Sequence, residues 1–145
     1  MKTLLQRVIS AKVVVEGKAI GEIEKGILVF LAIEKGDTEE RIKRMAQRVL
    51  NYRLFSDDDD KMNLNVTQVQ GGVLAVSQFT LAANTGKGNR PSFIAAADPA
   101  LGKPLYQLFV SQLSAQHSPV ATGSFGADMQ VHLVNDGPVT FWLEI

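Results

Sequence analysis

The run Ile27-Leu28-Val29-Phe30-Leu31-Ala32-Ile33 constrains this chain more than any other segment. A strand with one wet face alternates polar and apolar residues; this run does not alternate, so it reads as a central strand covered on both faces. Around it, residues 2 to 34 read as a series of strands. Val13-Val14-Val15 is β-branched, and Gly17 and Glu24-Lys25-Gly26 mark the turns. A second apolar run, Gly72-Val73-Leu74-Ala75-Val76, opens a buried strand expected to span 72 to 81. It ends in the polar cluster Ser77-Gln78-Phe79-Thr80, where buried polar groups are costly unless hydrogen-bonded.

Two helices are expected. Over 38 to 50, Ile42, Met45, Ala46, Val49 and Leu50 share one face, and Asp37 and Glu40 have the capping-box separation. Over 103 to 116, Leu105, Leu108, Phe109 and Leu113 form the inward stripe, Pro104 suits an early position, and Asp98 to Gly102 forms a separate turn. Strands from 129 to 134 and from 139 to 144 complete the pattern. Strands outnumber helices and short turns join most of them, which predicts an α/β fold with mixed, mainly antiparallel sheets and two flanking helices.

At 145 residues and 46% hydrophobic content, one compact domain over 1–145 is expected. The chain has no cysteine, which removes disulfides, thiolate nucleophiles and thiolate metal sites. The start, Met1 to Arg7, has no sustained apolar stretch, and no run approaches membrane-span length, so a cytoplasmic protein without a membrane partner is expected. Fifteen Lys and Arg balance fifteen Asp and Glu, which argues against an extended nucleic-acid binder. Gripping only the end of an RNA stays compatible with that balance. The local basic clusters are Arg41, Lys43, Arg44 and Arg48 on the first helix and Lys87 with Arg90 in a loop.

Several chemistries are excluded by spacing. A calcium loop starting at Asp57 needs Gly at its sixth position and Glu at its twelfth, where Met62 and Gln68 stand. The acidic run Asp57 to Asp60 therefore reads as a solvated loop. Gly86-Lys87-Gly88 lacks the phosphate-loop pattern. The two histidines, His117 at a helix end and His132 on the polar face of a strand, neighbour no nucleophile motif and have no metal-ligand spacing. No metal or cofactor is expected.

Two short segments then stand out: Ser77-Gln78-Phe79-Thr80-Leu81 and Asn135-Asp136-Gly137-Pro138-Val139-Thr140. Read alone, Gln78 and Thr80 satisfy backbone at a strand end, Asp136-Gly137 is a turn dipeptide, Pro138 ends strand pairing and Arg7 is an exposed strand residue. With Leu5-Gln6-Arg7-Val8, Lys61-Met62-Asn63-Leu64-Asn65, Arg90-Pro91-Ser92-Phe93, Thr122-Gly123 and Ala127-Asp128-Met129, however, the chain closely resembles the D-aminoacyl-tRNA deacylase family over its full length.

That resemblance implies barrel-like sheets, a homodimer, and hydrolysis of the ester joining a D-amino acid to the acceptor end of tRNA. Ser77 and Gln78 would line the substrate pocket, and the backbone N–H groups near the catalytic pair Phe79 and Thr80 would face the carbonyl oxygen. Thr80 would position the ester rather than attack it, since a lone Thr without a base is a weak nucleophile. The vicinal 2′-hydroxyl of the RNA would assist in place of a side-chain base. Gly137-Pro138, joined by a cis bond and braced by Arg7, would enter the other subunit's pocket and block an L-side chain while letting achiral glycine through. The alternatives are a non-catalytic RNA- or nucleotide-binding module, or a hydrolase of another D-amino-acid ester or peptide.

Overall fold

The computed structural model describes all residues from Met1 to Ile145. Its elements are β1 (Lys2–Val15), β2 (Lys18–Ile23), β3 (Gly26–Ala32), α1 (Glu39–Asn51), β4 (Phe55–Ser56), β5 (Met62–Leu64), β6 (Gly72–Ser77), a 3-10 turn (Phe79–Ala82), α2 (Pro99–Gln116), β7 (Val120–Thr122) and β8 (Gln130–Glu144). The main sheet runs β2-β1-β3-β6-β7, with β8 along β1 and a small β4-β5 pair apart. Pairings of β1 with β2, β3 and β8 are antiparallel, while β3–β6 and β6–β7 are parallel. Long β1 serves two partners in turn: Lys2 to Val8 face β3, and Ala11 to Val15 face β2. The sheet curls until β2 and β7 nearly meet; a side chain on Gly21 would collide with the carbonyl oxygen of Thr122.

The unbroken apolar run has the predicted cause. From β3, Ile27, Val29 and Leu31 join a core of 22 buried residues shared with α1 and α2. Leu28 points the other way, into the barrel interior with Val8, Ala11, Val13, Ile23, Leu74 and Val76. One strand thus serves both cores.

Four expected boundaries change. The N-cap of α1 is Thr38, whose side chain accepts from Arg41 N, rather than the Asp37/Glu40 box. Asp37 is drawn inward instead, accepting from the Glu34 amide at 2.7 Å and from the Met1 ammonium at 3.2 Å. Helix α2 starts at Pro99, capped by Asp98, so residues 98 to 102 are not a separate turn and Pro104 lies inside the helix. Asp98 followed by Pro at the first helical position is the stronger start. Tyr106 is buried in that helix, whereas Leu108 is only half-buried. Strand β6 stops at Ser77; Gln78 N still donates to Leu31 O at 2.8 Å, and the chain then coils into the 3-10 turn. Finally, the two expected C-terminal strands are one, β8, interrupted by a bulge rather than a turn. Opposite β1 the register jumps from Val8↔Asn135 to Gln6↔Thr140, so residues 136–139 are pushed out at Arg7.

Asp57 organises the acidic loop, accepting from the amides of Asp59 and Lys61 and from Asn63 Nδ2. No helix is long and apolar enough to cross a membrane.

The Met1 ammonium, fully buried, lies 2.6 Å from Glu34 Oε2. Burial alone would raise the Glu34 pKa, but the hydrogen bond and charge of this ammonium, with Lys2, hold it below the usual 4.5. A carboxylate depressed in the folded state stabilises above its unfolded pKa, and that contribution is lost as pH falls through the folded one. Urea unfolding at pH 7 and at successively lower pH is therefore expected to show a loss of stability starting below about pH 4.5. Glu34→Gln should be less stable at pH 7 and have a flatter acid limb; an acid limb identical to the parent's would contradict this role.

Candidate active site

A cleft of about 670 Å³ opens where β3 and β6 end against the start of α2 and the segment 125–131. Its apolar wall includes Leu31, Ile33, Val76, Phe93, Phe125, Met129 and Val131, and its charged groups are Lys35, Asp98 and Asp128. Asp98 is partly committed to capping α2 through Leu101 N at 3.1 Å. Tyr106 braces the floor from behind: its hydroxyl donates to Ala75 O at 2.9 Å, and burial pushes its pKa to about 12.

Of the residues singled out in the sequence, Ser77, Gln78 and Phe79 line this cleft. Thr80 stands at its edge, exposed, with Oγ1 accepting from Gln78 Nε2 at 2.6 Å. Because that oxygen accepts, its own proton remains free to donate. Phe79 and Thr80 open the 3-10 turn, positions whose N–H groups lack an intrahelical partner. Neither amide is a donor in any turn or loop hydrogen bond of the chain. The geometry therefore supplies adjacent free backbone donors beside a polar pair. The histidines lie elsewhere: His117 Nε2 is 2.7 Å from Gly71 O, and His132 faces the groove between β1 and β8.

Arg7, Gly137 and Pro138 form a second assembly. Arg7 is not an exposed strand residue; its side chain is 14% exposed and ion-pairs with Asp136 Oδ2 at 3.3 Å. Its Nε donates to Asp136 O at 3.1 Å and its Nη1 to Leu54 O at 2.9 Å. Asn135 ties the other end of the bulge, accepting from Val139 N at 2.8 Å and donating to Thr140 Oγ1 at 3.0 Å. Gly137 adopts φ +128°, and the Gly137-Pro138 bond is cis. Both residues are exposed, and neither they nor Arg7 line the cleft of their own subunit.

Residues 4–144 match the family model described as D-Tyr-tRNA(Tyr) deacylase. The chain belongs to this deacylase family. A D-aminoacyl-tRNA deacylase of Saccharophagus degradans is 63% identical over 143 residues, covering 99% of both chains. One from Haemophilus influenzae is 59% identical over 145 residues, covering 100% of both. Among solved structures, a c-Myc DNA Unwinding Element Binding Protein superposes with a TM-score of 0.95 at 41% identity, over 100% of this chain and 99% of that one. A probable eukaryotic D-amino acid tRNA deacylase superposes with a TM-score of 0.84 at 16% identity, over 99% and 98%, and so shares the fold.

For a deacylase-family chain, the local motif reached only part of the cleft. Lys35, Phe93, Phe125 and Asp128 were not among the predicted site residues. They arrive from three separate segments, and only the packing of α2 and the 125–131 segment against β6 brings them together.

Proposed function

We propose that the protein hydrolyses the ester bond of D-aminoacyl-tRNA, releasing free D-amino acid and tRNA. The observation that carries the reading is the pair of free amides at Phe79 and Thr80, beside the Gln78–Thr80 hydrogen bond, in a cleft to which neither histidine belongs. A carboxylic ester on a ribose is already activated. The protein's work is then to hold the carbonyl, stabilise the developing oxyanion and admit water. Water adds to the carbonyl carbon, the amides of Phe79 and Thr80 carry the oxyanion, and the carbon–oxygen bond to the ribose breaks as the ribose oxygen takes up a proton. Thr80, oriented by Gln78, positions the ester through its free hydroxyl proton. The neighbouring 2′-hydroxyl of the substrate assists proton transfer.

Chirality is tested by backbone. Gly137 and Pro138, exposed and held by Arg7 away from their own cleft, enter the cleft of a second subunit, so the working unit is a homodimer. A main-chain barrier at the α-carbon rejects L-side chains while tolerating varied D-side chains, and glycine passes it. The protein acts in the cytoplasm on the acceptor end of aminoacylated tRNA, as a step of translational proofreading.

The test is release of free D-tyrosine from D-tyrosyl-tRNA with the protein at a small fraction of the substrate concentration. Many turnovers are expected; tight RNA binding without release would leave only a binding module. Because net charge is zero, few phosphates are contacted. The log–log salt slope for tRNA binding is expected at roughly 2–4 in magnitude, from about 0.7–0.9 per phosphate. A slope steeper than about 7 would require a far larger footprint.

A further inference from the structure

Resting on the deacylase reading, we propose that Phe93 and Ile94, flanked by Lys35, Lys87 and Arg90, receive the unpaired nucleotides that precede the esterified one. Phe93, 39% exposed, lines the cleft, and its neighbour in the chain, Ile94, is 78% exposed. The Phe93 ring is not loose: it stands edge-on to Phe79, with centroids 5.2 Å apart. The loop 85–91 closes beside it, because Asn84 and Ser92 exchange both backbone hydrogen bonds, at 2.8 and 3.1 Å. That loop carries Lys87 and Arg90 and no acidic residue. On the other side, Lys35 N donates to Ala95 O at 2.9 Å, which places a third cation next to the strip.

None of these cations is engaged in an ion pair, unlike Lys2, Arg7, Arg41 and Lys43. In the other basic cluster, on α1, three of the four cations are held by contacts within the chain, and Arg44 is not. Arg41 donates to Ile145 O, Arg48 to Glu144 O, and Lys43 pairs with Glu39. Three cations without ion-pair partners thus stand beside Phe93 and Ile94, and the carboxylates of the adjoining cleft are Asp98, which caps α2, and Asp128. An exposed aromatic beside unpaired cations is the pattern that holds single-stranded nucleic acid, with bases stacking on rings and phosphates meeting charge. A duplex would ask for a longer basic face than this one. The strip adjoins the cleft that takes the ester, so the strand that occupies it is the one continuous with the esterified nucleotide.

The experiment compares a D-tyrosyl minihelix ending in its unpaired 3′ nucleotides with the D-tyrosyl ester of adenosine alone. With Phe93→Ala, the ratio of kcat/KM on the minihelix to that on the adenosine ester is expected to fall about tenfold, the loss of one base stack, and KM should carry the change. With Lys87→Ala/Arg90→Ala, the salt slope for binding the uncharged minihelix should shrink by about 1.4, two single-strand phosphate contacts. An unchanged ratio together with an unchanged slope would overturn the proposal. So would a drop in oligomeric mass in Phe93→Ala, since the strip would then be a contact between copies of the chain. If the parent protein cleaves neither ester while both variants still weaken minihelix binding, the deacylase reading fails and the RNA surface stands.

Discussion

Gly137→Ala is expected to cost about 5- to 150-fold in kcat/KM on D-tyrosyl-tRNA, the scale of 1–3 kcal/mol of backbone strain, and to narrow the D-over-L preference of whatever activity survives. The φ of +128° at this residue is one that side-chain-bearing residues rarely adopt. Space is short as well. An added Cβ would stand 2.8 Å from Val139 Cγ2, 3.0 Å from Arg7 Nη2 and 3.3 Å from Val139 N. Relief requires moving either the bulge or the guanidinium that fixes it, and Arg7 is held on Leu54 O and Asp136. Either movement displaces the backbone assigned to testing the α-carbon. Gly137 and Pro138 are exposed, and of the bulge only Val139 belongs to the core, so the fold should survive with a Tm within several degrees of the parent. The measurement is the pair of D- and L-tyrosyl-tRNA deacylation rates together with the oligomeric mass. A fully active dimer with an unaltered D/L ratio would place the chiral filter elsewhere.

Removing the 2′-hydroxyl of the terminal ribose, with the amino acid esterified at the 3′-oxygen, should be more damaging than any change to Thr80. Positioned acid–base assistance contributes about 10²–10⁴-fold, and no cleft histidine exists to replace it. Thr80→Ala removes one positioning hydrogen bond and leaves Gln78 Nε2 without its acceptor, a cost on the order of 1–3 kcal/mol, or roughly 5- to 150-fold. The oxyanion donors at Phe79 and Thr80 are main-chain groups and persist in that variant. Single-turnover deacylation of ribo and deoxy substrates by parent and variant separates the contributions. A covalent acyl-Thr80 species, or no turnover at all in a folded Thr80→Ala protein, would assign the threonine the role of nucleophile instead.

What could be read from sequence followed the reach of each physical rule. The two-sided core around β3 was legible because an apolar run that never alternates has no polar face to turn toward water. The inward faces of both helices were legible from their period, with Tyr106 taking the place given to Leu108. Ends were harder. Asp37 has the right spacing for a cap but is claimed by the buried Met1 ammonium, a contact spanning 36 positions that no local pattern signals. Pro104 resembles a helix start until Asp98-Pro99, a better cap and first position, is seen upstream.

The site divided in the same way. Ser77, Gln78 and Phe79 line the cleft, at and just past the end of buried β6. The strand did not run on through Thr80, since the chain turns at Gln78 into a 3-10 coil that frees the amides of Phe79 and Thr80. The Asp136-Gly137-Pro138 segment looked like a hairpin turn; only its pairing with β1 on both sides reveals a bulge facing Arg7. Its separation from its own cleft depends on tertiary geometry, and so did the membership of Lys35 and Phe125 in the cleft wall.

The most direct measurement is the deacylation of matched D- and L-tyrosyl-tRNA, charged on the same tRNA, by catalytic amounts of the purified protein. The expected result is rapid, repeated release of D-tyrosine while L-tyrosyl-tRNA decays no faster than in buffer. Equal rates on both enantiomers, or no release of D-tyrosine beyond the spontaneous rate, would contradict it.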